Sequence, residues 1–265
     1  MPDRSQLLAD LLADLAAEGA ALDAVVTDLE DTAWLGPTPA DGWTVAHQIA
    51  HLAWTDEQAL LAATEPEAFT AALAGARVTT LVDDAAAAGA AQEPERLLAR
   101  WRAGRAELAR RLAGLPDGAK LPWFGPPMSA ASMATARLME TWAHGLDVTD
   151  GLRRPPAATV RLRQVAHLGV RTRDFAFGQH GLPAPDEPFH VELTASDGST
   201  WAWGPEDAAQ RVTGPALDFC LLVTRRRHRA DLALQATGPD ADRWLDLAQA
   251  FAGPPGSGRA AGSRA

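Results

Sequence analysis

A chain of 265 residues with a formal charge of −10 is not built to hold nucleic acid or an anionic membrane surface, since neither attracts an acidic protein. Its 47% hydrophobic and 22% charged residues are ordinary for a water-soluble globular protein. The single cysteine, Cys220, excludes an internal disulfide framework and a cysteine-rich zinc site.

Leu7, Leu8, Leu11, Leu12, Leu15, Leu22, Val25, Val26 and Leu29 recur every three to four residues and predict a long amphipathic helix. The segment 31–41, with two prolines and a glycine, predicts a loop. Thr44 is placed to cap a second helix that runs to about Thr64, and residues 67–90 are alanine-rich and helical in pieces. Pro94 opens a third strong helix with Leu97, Leu98, Trp101, Leu108 and Leu112 as its apolar stripe. After a loop over 116–127, Ser129 caps a fourth helix that reaches roughly Thr149. Four helices of this length joined by short loops predict a four-helix bundle over residues 1–152.

Composition changes at Arg153-Arg-Pro-Pro156, which reads as a linker. Residues 158–178 predict one further helix. The hydrophobic period then drops to two: Phe189, Val191 and Leu193, then Trp201 and Trp203, predict a hairpin turning at Ser196-Asp-Gly-Ser199. A helix from Pro215 to about Arg227, a strand at 232–237 and a last helix opening at Pro239 complete a small α+β domain over 153–252. The fold class is therefore α+β overall, and the Gly/Pro/Ser/Arg-rich tail 253–265 is expected to be disordered. No apolar run reaches the roughly 18 residues of a membrane span, and no signal-peptide core follows Met1-Pro-Asp-Arg4, so a cytoplasmic protein is expected. Cys220 lies in the apolar run Phe219-Cys-Leu-Leu-Val223, where a buried, inert thiol is expected.

The chemistry concentrates in Arg137-Leu-Met-Glu140-Thr-Trp-Ala-His144-Gly-Leu-Asp147. Residues four apart on a helix are stacked neighbours, so Glu140 and His144 can reach one ion. His47 and His51 make the same spacing on the second helix. One of them opposite Glu140 and His144 would complete the two-His, one-Glu set of a catalytic zinc site with a position left open. His51 lies a turn deeper; His47 sits in the first turn, where the dipole disfavours a cation and a capping or pocket-lining role is open. Asp147 is a candidate to orient His144. His167, Arg171 and Arg173 form a polar stripe whose arginines could receive a carboxylate. Arg225-Arg-Arg227 and Arg229 end an apolar helix, where dipole compensation suffices to explain them.

Gly42-Trp-Thr-Val with Ala50-His51-Leu, followed by Glu140-Thr-Trp-Ala-His144-Gly-Leu-Asp147-Val, resembles the mycothiol-dependent maleylpyruvate isomerase family. The first domain of that family belongs to the DinB-like metal-binding four-helix bundles, and a small α+β domain follows it. The segments Ala166–Arg173 and Asp218–Arg227 are similar to a subgroup of actinobacterial metal-binding proteins of unknown substrate. The resemblance implies His51, Glu140 and His144 as ligands of a divalent metal, Zn2+ by ligand chemistry, and mycothiol as the thiol that fills the open position. It implies a catalytic arginine late in the second domain, for which Arg226 is the nearest match.

The expected function is thus a metal-dependent isomerase or thiol transferase acting on a small, carboxylate-bearing molecule. Arg226, Arg171 and His47 are its candidate catalytic or pocket residues, and no nucleic-acid or membrane partner is expected. The rival readings are a thiol-independent Lewis-acid isomerase or cyclase and a non-catalytic metal-binding module.

Overall fold

The computed structural model describes residues 4–75, 77–254, 256 and 258–263. The chain divides into two compact units, one up to Pro156 and one from Ala157 onward. Helices and a small four-stranded sheet make it α+β, as the hydrophobic periods predict.

The first unit contains α1 (Arg4–Val26), α2 (Asp31–Trp34), α3 (Val45–Thr64), α4 (Pro66–Leu73), α5 (Val78–Ala90), α6 (Pro94–Ala113) and α7 (Ala130–Gly151). The four long helices α1, α3, α6 and α7 form the bundle, with α3 packed on α5, α6 and α7 and with α1 on α7 and α6. α1 stops three residues short of Leu29, and the segment expected as a loop begins with the single turn α2, which buries Trp34. Ser129 accepts the N–H of Ser132 at 3.1 Å and so caps α7 as its position predicts.

Two apolar clusters fill the bundle. One gathers Leu22, Val26, Trp34, Ile49, Leu52, Leu97 and Trp101 with Val148; the other gathers Leu11, Ala59, Phe69, Leu108, Leu112 and Met133. Between them, α3 contributes His51, Thr55 and Asp56, and α7 contributes Arg137, Glu140, Thr141 and His144. A polar belt therefore interrupts the core halfway along the two helices. Arg137 and Asp56 close one part of it as a buried ion pair, Nε to Oδ1 at 2.9 Å. A buried pair of this kind is costly to break, because the survivor is left charged and desolvated.

The second unit runs α8 (Leu162–Arg171), α9 (Arg173–Gln179), β1 (Phe189–Thr194), β2 (Thr200–Trp203), β3 (Gln210–Pro215), α10 (Ala216–Val223), β4 (Gln235–Thr237) and α11 (Pro239–Leu247). The expected hairpin is β1 and β2, antiparallel with Leu193 opposite Trp201. The sheet order is β2-β1-β3-β4, with β3 parallel to β1 and antiparallel to β4. The helix expected over 158–178 is two helices. At Thr172 the hydroxyl lies within hydrogen-bond distance of the carbonyls of Leu168 and Gly169 and of Gln249 at 2.7 Å, and the chain turns there. Of the tail, Gly262 donates its N–H to the carboxylate of Asp231. Among the described residues no helix is long and apolar enough to cross a membrane.

Candidate metal centre

His51 enters from α3; Glu140 and His144 stand one turn apart on α7. One ligand atom from each lies within 4.8 Å of the other two. Glu140 Oε2 is 3.5 Å from His51 Nε2 and 3.3 Å from His144 Nε2. Ligands bound at about 2.0–2.2 Å around a tetrahedral ion stand roughly 3.3–3.6 Å apart, so both carboxylate–imidazole distances match the edges of such a site.

The tautomer of His144 is fixed from behind. Its Nδ1 donates to Gln48 Oε1 at 2.6 Å, Gln48 Nε2 donates to Thr38 Oγ1 at 2.8 Å, and Thr38 Oγ1 donates to the Trp43 carbonyl at 2.8 Å. The same loop, closed by the Thr38 N–H to Trp43 carbonyl bond, sets the Trp43 ring against both histidines, 5.3 Å from His51 and 6.0 Å from His144 between centroids. Asp147, the sequence candidate for orienting His144, is buried, but the Nδ1 partner is Gln48 from the facing helix.

Burial pushes the His51 imidazole down to about 4, with the neighbouring His144 adding to the effect. At neutral pH His51 therefore offers a lone pair and no positive charge. Its Nδ1 is buried and has no hydrogen-bond partner. Burial alone would raise the Glu140 carboxyl, but hydrogen bonds to His144 and His51 outweigh it and hold the group well below the usual carboxylate range. The donor set is thus the neutral His51 imidazole, the His144 ring and a carboxylate. The cluster is not sealed, since the Glu140 side chain keeps 24% of its surface accessible and that of His144 keeps 14%.

His47 stands apart from this convergence. Its Nδ1 accepts the Thr44 N–H at 3.3 Å and lies 2.8 Å from the Thr44 hydroxyl, closing a capping box at the start of α3. In the second unit, Arg171 is exposed at the end of α8. Arg173 donates to the carbonyls of Glu187 and Pro185 and packs on the Phe189 ring. Arg226 is half-buried and donates to the Thr224 carbonyl at 2.9 Å. The signal for Gln48, missed in the sequence, is its position three residues before His51 on the face of α3 that looks at α7.

The family model described as mycothiol maleylpyruvate isomerase N-terminal domain matches residues 15–149, half of the chain. A second, described as wyosine base formation, matches residues 185–237 and so covers the sheet. Relatives from two strains of Mycobacterium tuberculosis, both described as uncharacterized proteins, are 59% identical over 250 residues, covering 94% of this chain and 97% of theirs. Among solved structures, a mutant mycothiol-dependent maleylpyruvate isomerase superimposes with a TM-score of 0.56 at 17% identity, covering 88% of this chain and 95% of that one. Another crystal structure of the isomerase gives 0.54 at 18% identity, covering 83% and 89%. At those identities the structural likeness is one of fold; with the family match over half its length, the chain belongs to the mycothiol maleylpyruvate isomerase N-terminal domain family.

Proposed function

We propose that the chain is a metal-dependent enzyme of the thiol-dependent isomerase or thiol-transferase type, acting on a small, carboxylate-bearing molecule. The observation that carries this reading is the convergence of His51, Glu140 and His144 on one point that stays open to solvent on one side. Two imidazole ligands and one carboxylate suit Zn2+ better than a hard cation such as Mg2+ or Ca2+. His51, Glu140 and His144 would hold the ion, which when bound supplies a Lewis-acidic position that lowers the pKa of a thiol.

The chain's own residues then do the rest. Gln48 keeps the His144 Nε2 lone pair turned toward Glu140, and Trp43 walls the two imidazoles from water on one side. Because His51 is neutral at pH 7, the site binds a cation without first releasing a proton from that ring. His47 caps the start of the same helix, with its Nδ1 already engaged by Thr44. Arg171 and Arg226 are retained from the sequence as the groups to receive a substrate carboxylate. Mycothiol, named in the family and in its structural relatives, is the thiol proposed. A thiol that adds to an activated double bond and is expelled again gives cis–trans isomerisation; one that stays gives an S-conjugate.

Elemental analysis of purified protein should find about one zinc per chain. His51→Ala should abolish it and His47→Ala should leave it. Calorimetry should then show mycothiol binding the zinc form and not the metal-free form, with glutathione weaker. Zinc without thiol binding would leave the thiol-independent Lewis-acid enzyme as the better reading, and protein that neither carries nor takes up zinc would end both.

A further inference from the structure

His51 and Trp54 stand three residues apart on α3, so their side chains share a face, with ring centroids 6.5 Å apart. On the other side of His51 lies Trp43, 5.3 Å from that ring and 6.0 Å from His144. The facing pairs His51–Glu140 and Asp56–Arg137 advance along α3 and retreat along α7, so the two helices are antiparallel. The turn after His51 on α3 therefore meets the turn before Glu140 on α7. There α7 presents Ala136, partly exposed, and then Ser132, fully exposed. Trp43 closes one end of the candidate metal centre, while at the Trp54 end the facing helix offers only small side chains.

A second ring extends the Trp54 side. Leu121 and Met128 exchange two backbone hydrogen bonds, at 2.8 and 2.9 Å, and so pinch the loop that leads into α7. From this loop Phe124 reaches Trp54, with centroids 5.9 Å apart and planes tilted by 36°. Phe124 is held from behind by the fully buried Phe69, edge-on at 5.5 Å, and Trp123 stacks on the same Phe69 ring at 5.8 Å. Trp54 keeps 8% of its surface accessible and Phe124 is half-buried. An aromatic wall, fixed in place by packing, thus continues from the ligand ring of His51 toward the start of α7. Apolar surface left beside a polar donor set is surface that a bound group can remove from water.

We propose that the small molecule engaged at the candidate metal centre carries an aromatic ring, and that this ring lies along Trp54 and Phe124. Trp43 bars the opposite direction, and Ala136 is too short to cover the wall from α7. Rings of tryptophan and phenylalanine prefer an offset or edge-on aromatic partner to an aliphatic group of equal size. The inference rests on the zinc reading of the bundle and names the substrate class that this site would take.

Hydroxamates separate the two readings. Acetohydroxamate and benzohydroxamate share one zinc-chelating head and differ in a methyl against a phenyl group. Calorimetry on the zinc-loaded full chain should show benzohydroxamate binding roughly tenfold tighter, with cyclohexanecarbohydroxamate weaker than benzohydroxamate. Ala136→Leu fills the space beside the wall at a partly exposed helical position that leucine suits, so the variant should fold. It should keep its zinc and its acetohydroxamate affinity and lose the preference for phenyl. Phe124→Leu removes one ring of the wall and should cut that preference about threefold. Acetohydroxamate binding reads the metal alone, and the ratio of the two affinities reads the wall alone. Equal affinities in the wild type, or a preference that survives both substitutions, would overturn the wall and leave the metal standing. A cyclohexyl group bound as tightly as phenyl would overturn the aromatic assignment. Protein that takes up no zinc and binds neither hydroxamate would overturn the metal reading and this one with it.

Discussion

At His144 the assignment of the two ring nitrogens follows from a chain of donors. The Thr38 hydroxyl gives its proton to the Trp43 carbonyl and can only accept from Gln48, so Gln48 must present its oxygen to His144 Nδ1. Nδ1 then carries the proton and Nε2 the lone pair. Replacing Gln48 with Leu removes the acceptor and frees the ring, and the affinity for Zn2+ measured by chelator competition should fall about 10–100-fold. Gln48→Glu keeps an acceptor and should retain most of the affinity; a Leu variant that binds as tightly as wild type would show that the relay does nothing. Glu140 and His144 were legible from spacing, because four residues on a helix stack side chains on one face. At His47 the same spacing left a ligand role and a capping role open, and the structure has the capping role. Side chains lean toward the helix N-terminus, and in the first turn that direction leads to the Thr44 cap, so His47 Nδ1 is taken by the backbone. Gln48 left no pattern of its own, since one buried glutamine has no period.

The elements were legible where the hydrophobic period was strong and lost where one polar residue carried the burial. β3 has Val212 as its only buried apolar residue, beside the buried Gln210. Gln210 earns its place through hydrogen bonds, donating to Glu187 at 2.7 Å and accepting the N–H groups of Asp240 and Ala241 at the start of α11. An alternation count cannot see that. The single helix expected over 158–178 has the right apolar stripe on both sides of Thr172, and only the tertiary bond from Thr172 to Gln249 marks the break. Close approach within this unit is set by Gly169 on α8. A Cβ there would lie 2.9 Å from both methyl carbons of Val223 and 3.1 Å from the Phe219 ring on α10, neighbours fully buried and unable to yield. Gly169→Val should therefore destabilise the protein by about 1–3 kcal/mol despite removing a helical glycine, read from urea unfolding. An unchanged midpoint would mean the two helices can separate at no cost.

For the molecule as a whole, one thiol reports on folding without touching the candidate metal centre. Cys220 is fully buried on α10, its Sγ–H donates to the Leu162 carbonyl at 3.4 Å, and burial pushes the thiol far above its usual range. The folded state thus keeps the proton while the unfolded chain releases it above the ordinary thiol pKa of about 8.5. With fewer protons on the unfolded chain, stability falls as pH rises; the contribution is complete below about pH 8.5 and is lost at higher pH. The slope is about 1.4 kcal/mol per pH unit once the unfolded thiol is ionised. Urea unfolding of the wild type and Cys220→Ala at pH 8 and 10 isolates this term from the titration of every other group. The gap between the two proteins should shift by about 2 kcal/mol against the wild type over that range. Native protein at pH 8 should also resist thiol reagents until urea unfolds it. Rapid labelling of the native protein, or a gap that does not change with pH, would show that α10 opens readily and that the thiol is not held in the core.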